Sequence, residues 1–343
     1  MSGPVNRRCV VGEAPVSRVA VVFTGGTISM AYDREAGGNV PTLDGAAILA
    51  RTPGLADNAD VVAIDWGRLP GSHFTIATLV ELWATIREAA SDPNVGGVVV
   101  VQGTDTIEES AFCWDLLHGG ETPIVVTGAM RSSTEAGYDG PANLRDAVRA
   151  AASPSLRGEG VTVVMAGTVH AADDVAKRHA TAPTAFQSPN LGPLAVVGRD
   201  RMVLGRRRAG RRHVQQASAA EPVHLITSAA GTDGSLLDAT VRLGTRGIVV
   251  AAAGSGNTSA ELLVAGERAI AHGIPVVLVS RTGAGWAGTG YAFPGGGGTW
   301  VRAGAMLAGS LNGPKARIAL AFGIGNGLDQ AGLAGLLADP VEA

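Results

Sequence analysis

Short apolar runs alternate with amphipathic stretches along most of the chain, and glycine or proline marks most changes between them. Val98-Val-Val-Val101 is the plainest case. Four consecutive valines are too few for a helix, and between Gly96-Gly97 and Gly103 they make a strand buried on both faces. Thr106 and Glu109 then stand at the spacing of a capping box, which predicts a helix from Ile107 to about His118 and makes Gly103-Thr104-Asp105 the turn into it. The same pattern predicts strands over 18–23, 123–127 and 161–165 and a helix over 74–90. A further helix runs to Val148, opened by Asp139-Gly140-Pro141. The strand–helix–strand unit ending at Thr127 should be parallel and right-handed. Residues 1–17, without periodicity, read as a loose arm. Residues 29–41, with charges around Gly37-Gly38, read as a mobile loop, either a lid over the sheet edge or a solvated connection. Residues 167–178 read as a polar excursion.

Periodicity disappears over 206–220. Arg206-Arg-Arg-Ala-Gly-Arg-Arg-His213 lacks the interleaved aromatics of a nucleic-acid-binding segment and reads as a solvated linker. Beyond it the alternation resumes, with strands over 223–227, 248–252 and 275–279 and helices from about Ser235 and over 258–271. After a glycine-rich stretch, 283–298, closing helices are expected over 315–322 and 328–337. The fold class is therefore α/β, with two α/β domains. A larger N-terminal domain (1–205) has a parallel-type sheet with flanking helices, and a linker (206–221) joins it to a smaller C-terminal α/β domain (222–343).

Composition narrows the function. The chain has 343 residues, is 46% apolar and carries a net charge of −3, so a soluble globule with no nucleic-acid partner is expected. No uninterrupted apolar run has the length of a membrane span, and the N-terminus has no signal-like apolar core. Cys9 and Cys113 are too few for a disulfide framework or a zinc site, which together with the N-terminus suggests a cytoplasmic protein. Gly254-Ser-Gly256 and the glycines of 323–327 lack a full dinucleotide fingerprint. There is no Walker A sequence or Gly-x-Ser-x-Gly elbow, and the seven histidines are scattered. Neither a metal nor a cofactor is expected.

What remains is a threonine-rich polar set at strand ends, where an open α/β sheet binds its ligands. It comprises Thr24 and Thr27 around Gly25-Gly26, then Thr104 and Asp105, then Lys177 beyond the strand over 161–165. Thr24, lying before the glycines, should point into the packing. A threonine hydroxyl is a weak nucleophile unless a base takes its proton, and a lysine aimed by a carboxylate can serve where no histidine does. Of the 27 basic residues only Lys177 and Lys315 are lysines. A chain that otherwise uses arginine, yet has lysine at 177 beside Arg178, suggests a need for an amine that can lose its proton. An ordinary surface lysine is the alternative.

Taken in order, these residues resemble the bacterial-type L-asparaginases. Thr24-Gly-Gly-Thr-Ile28 is similar to that family's first signature, and Gly103-Thr-Asp-Thr106 with Glu108-Glu109 to its second. Gly128-Ala-Met-Arg131 with Asp139-Gly-Pro141 and Asn143, Asp174-Val-Ala-Lys177, Gly254-Ser-Gly-Asn257 and Lys315-Ala-Arg317 resemble its later segments. The resemblance implies hydrolysis of L-asparagine to L-aspartate and ammonia, without cofactor, in a homo-oligomer with sites near a subunit interface. It implies Thr27 as nucleophile and Thr104, supported by Lys177 and Asp105, as the group that activates water or relays the proton. It also implies substrate contacts at Gly26, Ser72, Gly103, Thr104, Asp105, Ala129 and Asn257, with Asp105 on the substrate's ammonium. Two positions depart from the pattern. The family's lid tyrosine has no match except Tyr32, five places past Thr27, and residues 282–301 contain no carboxylate where a neighbouring subunit's glutamate is expected. Tyr291, in that glycine-rich stretch, is a second lid candidate. Two other roles compete: the asparaginase-like subunit of an amidotransferase, which would usually carry an extra N-terminal domain where only 17 residues precede the first strand here, and an amino-acid-binding regulator that has lost turnover.

Overall fold

The computed structural model describes residues 17–340; of the arm expected over 1–17, all but Ser17 lies outside them. The N-terminal domain is built from β1 (Arg18–Phe23), a hairpin of β2 (Met30–Asp33) and β3 (Gly38–Pro41), α1 (Gly45–Ala50), β4 (Asp60–Asp65), α2 (Ile76–Ser91) and β5 (Gly97–Val101). It continues with α3 (Ile107–Leu117), β6 (Ile124–Thr127), α4 (Gly140–Ala151), β7 (Val161–Met165) and β8 (Thr168–Ala171). A two-stranded pair, β9 (Ala176–Lys177) and β10 (Phe186–Gln187), is followed by β11 (Ala195–Val197) and β12 (Met202–Leu204). The main sheet has the order β12-β11-β8-β7-β6-β5-β1-β4. From β4 to β7 every pairing is parallel, and β8, β11 and β12 add an antiparallel edge.

The run of valines does what its pattern requires. Val98 and Val100 enter one core with Ile86 of α2 and Phe112 of α3, while Val99 and Val101 enter the other with Leu144 and Val148 of α4. Successive strand residues face opposite ways, so a strand covered by helices on both sides must be apolar throughout.

The C-terminal domain is a four-stranded parallel sheet in sequence order, β13 (Val223–Thr227), β14 (Gly247–Ala252), β15 (Val276–Ser280) and β16 (Met306–Leu307). Around it lie α5 (Ser235–Arg242), α6 (Ala260–Ala271), α7 (Gly297–Arg302), α8 (Gly313–Gly325) and α9 (Gln330–Leu337). Helix α8 packs against α3, and one hydrophobic core runs through that contact from the main sheet into the smaller domain. No helix among the described residues is long and apolar enough to cross a membrane.

Two of the expected loop segments need correction. Residues 29–41 are a paired hairpin, not a mobile loop. The Asp33 carboxylate accepts from the amides of Glu35 and Ala36 at 2.8 Å each, and Gly37 turns with φ +67°. The hairpin is pinned to residues 133 and 134, since the Met30 carbonyl accepts from Ser133 N and the Tyr32 amide donates to Thr134 Oγ1.

The arginine-rich stretch is not solvated throughout: Arg207 is exposed, but Arg208 and Arg212 are buried. The Arg208 side chain is only 4% exposed and donates to both oxygens of Asp115, at 2.9 and 2.8 Å, and to Asp173 at 2.9 Å. Arg212, 3% exposed at its side chain, reaches Asp339 at 2.9 Å. Guanidinium forks match carboxylates in a dry interior, and the acidic partners come from distant parts of the chain.

Candidate active site

Strand β1 is flanked by β4 on one side and β5 on the other, so the chain reverses its direction of travel across the sheet between β1 and β5. Open α/β sheets bind ligands outside the carboxyl ends of such a pair. The loops leaving those ends are Thr24–Thr27 and Gly103–Asp105, held together by glycine. A Cβ on Gly26, whose φ is +89°, would lie 2.2 Å from Gly103 N, and one on Gly71 would lie 2.9 Å from Gly103 O. Three backbones therefore touch with no side chain between them, and Ser72, in the single turn Gly71–His73, is carried beside Asp105. Gly26→Ala is expected to lose both stability and activity. The positive φ alone costs about 1–3 kcal/mol in a non-glycine residue, and the new methyl must also push the two loops apart. An unchanged melting temperature with full turnover would contradict this contact.

Thr24 is wholly buried, its hydroxyl donating to the Val101 carbonyl at 3.0 Å, so it stitches the two strand ends as its position before the glycines implies. The short turn Thr27–Ser29 is fixed by Ser29 Oγ donating to Gly26 O and by the Tyr138 hydroxyl donating to Ile28 O, both at 2.7 Å. Burial pushes the Tyr138 phenol up to about 12, so it stays a donor at any working pH. Thr27 itself is partly exposed, and its hydroxyl has no hydrogen-bond partner among the described residues.

The capping box expected from Thr106 and Glu109 does not form. A single turn over Thr104–Thr106 precedes α3, and Thr106, although at the N-cap, makes no capping bond. Its hydroxyl instead donates to Gly71 O at 2.8 Å, which binds the Ser72 turn to the second loop.

Lys177 arrives from β9. Its Nζ lies 3.0 Å from Thr104 Oγ1 and 3.0 Å from Asp105 Oδ1. Thr104 is buried and the Lys177 side chain only 14% exposed, while the Asp105 side chain is 63% exposed. The lysine and hydroxyl are thus inside and the carboxylate faces solvent, over residues 73 positions apart in the chain. Beside them, the Asp139 carboxylate accepts from the amides of Met130 and Arg131, and Asn143 donates to Gly128 O at 3.0 Å. These bonds explain why residues 128–131 and 139–143 carry motifs: they clamp the carboxyl end of β6 and set the backbone at the fully buried Ala129.

The fold therefore gathers Gly26, Thr27, Ser72, Gly103, Thr104, Asp105 and Lys177 at one end of the sheet, with Ala129 on the next loop. Asn257 stands apart, in a turn of the C-terminal domain closed by Asn257 N donating to Ala253 O at 2.8 Å, with its side-chain oxygen buried and unpaired. Tyr32 lies exposed on the hairpin. Tyr291 is half exposed against Phe293, ring centroids 5.7 Å apart. Sequence reasoning missed Tyr138 and the second use of Thr106, for which local spacing carries no signal.

The fold sets this candidate site at a switch point of an open α/β sheet, the usual place for a ligand in that class of protein. Residues 18–209 match the family model for the asparaginase N-terminal domain, and residues 222–337 that for the glutaminase/asparaginase C-terminal domain. The chain belongs to the asparaginase family. It is 31% identical to an L-asparaginase of Bacillus licheniformis over 305 residues, covering 89% of this chain and 94% of that one. It is 34% identical to a probable L-asparaginase of Deinococcus radiodurans, covering 90% and 92%. Among solved structures, a probable cytoplasmic L-asparaginase from Campylobacter jejuni superposes with a TM-score of 0.83 at 26% identity, over 94% of this chain and 99% of that one.

Proposed function

We propose that the protein hydrolyses L-asparagine to L-aspartate and ammonia through an acyl-enzyme on Thr27. The observation that carries the mechanism is the Lys177 amine within 3.0 Å of both Thr104 Oγ1 and Asp105 Oδ1. The Thr27 oxygen attacks the side-chain amide carbon, and the proton it loses is passed to the departing nitrogen, which leaves as ammonia. Water then attacks the ester carbonyl, its proton passing by way of Thr104 and Lys177 to the Thr27 oxygen as the ester bond breaks, and aspartate departs with the hydroxyl of Thr27 restored. Backbone N–H groups of the glycine turns at Gly26 and Gly103 stabilise the oxyanion. The exposed Asp105 carboxylate receives the substrate's ammonium, Ser72 and Ala129 line the pocket, and Asn257, which stands apart within one chain, joins it from a neighbouring chain of the homo-oligomer. Tyr32 and Tyr291 are the candidates for covering it; neither hydroxyl has a hydrogen-bond partner among the described residues.

The division of labour we propose follows the chain: residues 1–205 carry the catalytic threonines, 206–221 join, and 222–343 complete the site in a homo-oligomer. Trp286, Tyr291 and Phe293, each about half exposed, suit an interface. A cytoplasmic setting fits the free, buried thiol of Cys113.

Ammonia release from L-asparagine, run beside L-glutamine and D-asparagine, tests the reaction; binding without release would favour the regulator. Lys177→Arg tests the mechanism. Guanidinium keeps the charge but cannot give up a proton near neutrality, so kcat should fall on the order of 10²–10⁴-fold while the melting temperature barely moves. An active Lys177→Arg enzyme would mean that position 177 supplies charge alone.

A further inference from the structure

The chain's only two lysines converge on one turn. Lys315 stands in the first turn of α8, where Asn312 caps the helix by accepting from the Lys315 amide at 3.2 Å and donates to Glu108 Oε2 at 3.1 Å. Lys315 is 1% exposed. Its Nζ crosses into the N-terminal domain and donates to the carbonyl of Asp173 at 3.0 Å and to that of Val175. Both carbonyls belong to the turn between β8 and β9, and Lys177 is the second residue of β9.

The side chains of that turn are held from elsewhere. Arg208 takes the Asp173 carboxylate, and the amides of Asn190 and Leu191 donate to Asp174 at 3.0 and 2.8 Å. Past the turn, β10 pairs Phe186 with Lys177. The carbonyls of Asp173 and Val175 are therefore the part of the turn that Lys315 alone fixes by side chain. Burial lowers the Lys315 pKa, the carboxylates of Glu108, Asp173 and Asp174 oppose that shift, and Arg212 adds to it.

We propose that Lys315 is a positioning residue for the active-site lysine: from the C-terminal domain it holds the turn that delivers Lys177 Nζ to Thr104. The proposal rests on the role given above to Lys177. An apolar side chain at 315 would leave two buried carbonyls without a donor, a state proteins avoid by shifting backbone or admitting water. A cavity of about 10 Å³, lined by Asp174, Asn190 and Asn312 among others, adjoins Lys315 and has room for about one water. The turn thus has somewhere to relax, and a shift of about 1 Å at a catalytic group costs up to about a hundredfold in rate.

The test is a double-mutant cycle on the full chain with L-asparagine. Lys315→Met is expected to lower kcat about ten- to a hundredfold with KM unchanged. On a Lys177→Met background the same substitution should produce no further loss, because the group it positions is gone. Asn312→Ala, which frees the first turn of α8 without emptying a buried site, should show the same pattern at smaller size and decides the matter if Lys315→Met does not fold. Wild-type kcat in a folded Lys315→Met protein, or an equal loss on both backgrounds, would overturn the proposal while leaving the role of Lys177 standing. Near-normal turnover in Lys177→Met alone would sink the reading of Lys177 itself.

Discussion

Thr27→Ala should abolish nearly all turnover of L-asparagine, on the order of 10⁴–10⁶-fold in kcat, with substrate affinity and melting temperature close to wild type. The hydroxyl is partly exposed and makes no internal hydrogen bond among the described residues, so its removal leaves no buried group unpaired. Thr104→Val should be nearly as damaging to rate, because it takes away the hydroxyl 3.0 Å from Lys177 Nζ while keeping the shape of the side chain. Thr24→Ser is the control. It keeps the oxygen that bonds the Val101 carbonyl and loses only a methyl, so rate should be untouched and stability slightly lower. Rapid-quench measurement of ammonia would separate the roles proposed for Thr27 and Thr104. If Thr27 is the nucleophile, no acyl-enzyme accumulates in Thr27→Ala, whereas near-normal turnover there would remove the mechanism.

How much of this could be read from residues alone depended on the range of the interaction. Val98–Val101 and the glycines around it announce a buried strand and a tight exit because the cause is local: valine needs cover on both faces, and Gly26 needs a positive φ. The pairing of Lys177 with Thr104 and Asp105 was legible by a different route, the scarcity of lysine in an arginine-using chain together with the family resemblance. Lys315 carried the same compositional signal and was passed over, since its partners are backbone carbonyls, which leave no mark in a sequence. The strands β8, β11 and β12 escape a reading by apolar runs because each has only three or four residues, too few for a period to show. The arginine stretch was misread for the opposite reason. Its charge pattern is conspicuous, but the acids that neutralise it lie 93 and 35 residues away.

Arg208→Met is the substitution expected to harm stability most. Arg208 donates to Asp115 through both terminal nitrogens, to Asp173, and to the Glu159 carbonyl at 3.0 Å, all with its side chain 4% exposed. Removing one partner from such a buried set strands the remaining carboxylates and costs about 3–5 kcal/mol, a fall in melting temperature on the order of 10 °C. Arg208→Met/Asp115→Leu should recover part of that loss, since an apolar pair leaves fewer charges unpaired. No recovery would mean that packing, not charge, was lost.

The network also sets an acid limit. Burial raises the Asp173 carboxyl, but Arg208, Arg212 and Lys315 outweigh it and hold the pKa below its ordinary value. A depressed folded-state pKa adds stability above the unfolded value of about 3.9, and that contribution disappears as pH falls through the folded value. Urea midpoints followed downward from neutrality should therefore drop below about pH 4, and less steeply in Arg208→Met.

The place where the two sheets part is not where the molecule can be cut. A fragment ending at 205 would contain every strand of the main sheet, yet Asp115, Glu159 and Asp173 would be left facing one another without the guanidinium groups of Arg207 and Arg208. A fragment beginning at 206 would take those cations away from their acids, although Arg212 would keep Asp339. Like a mortise pin that belongs to neither plank, the arginine strap makes each half an incomplete object, so exchange of one half between relatives must carry the strap and its acids together.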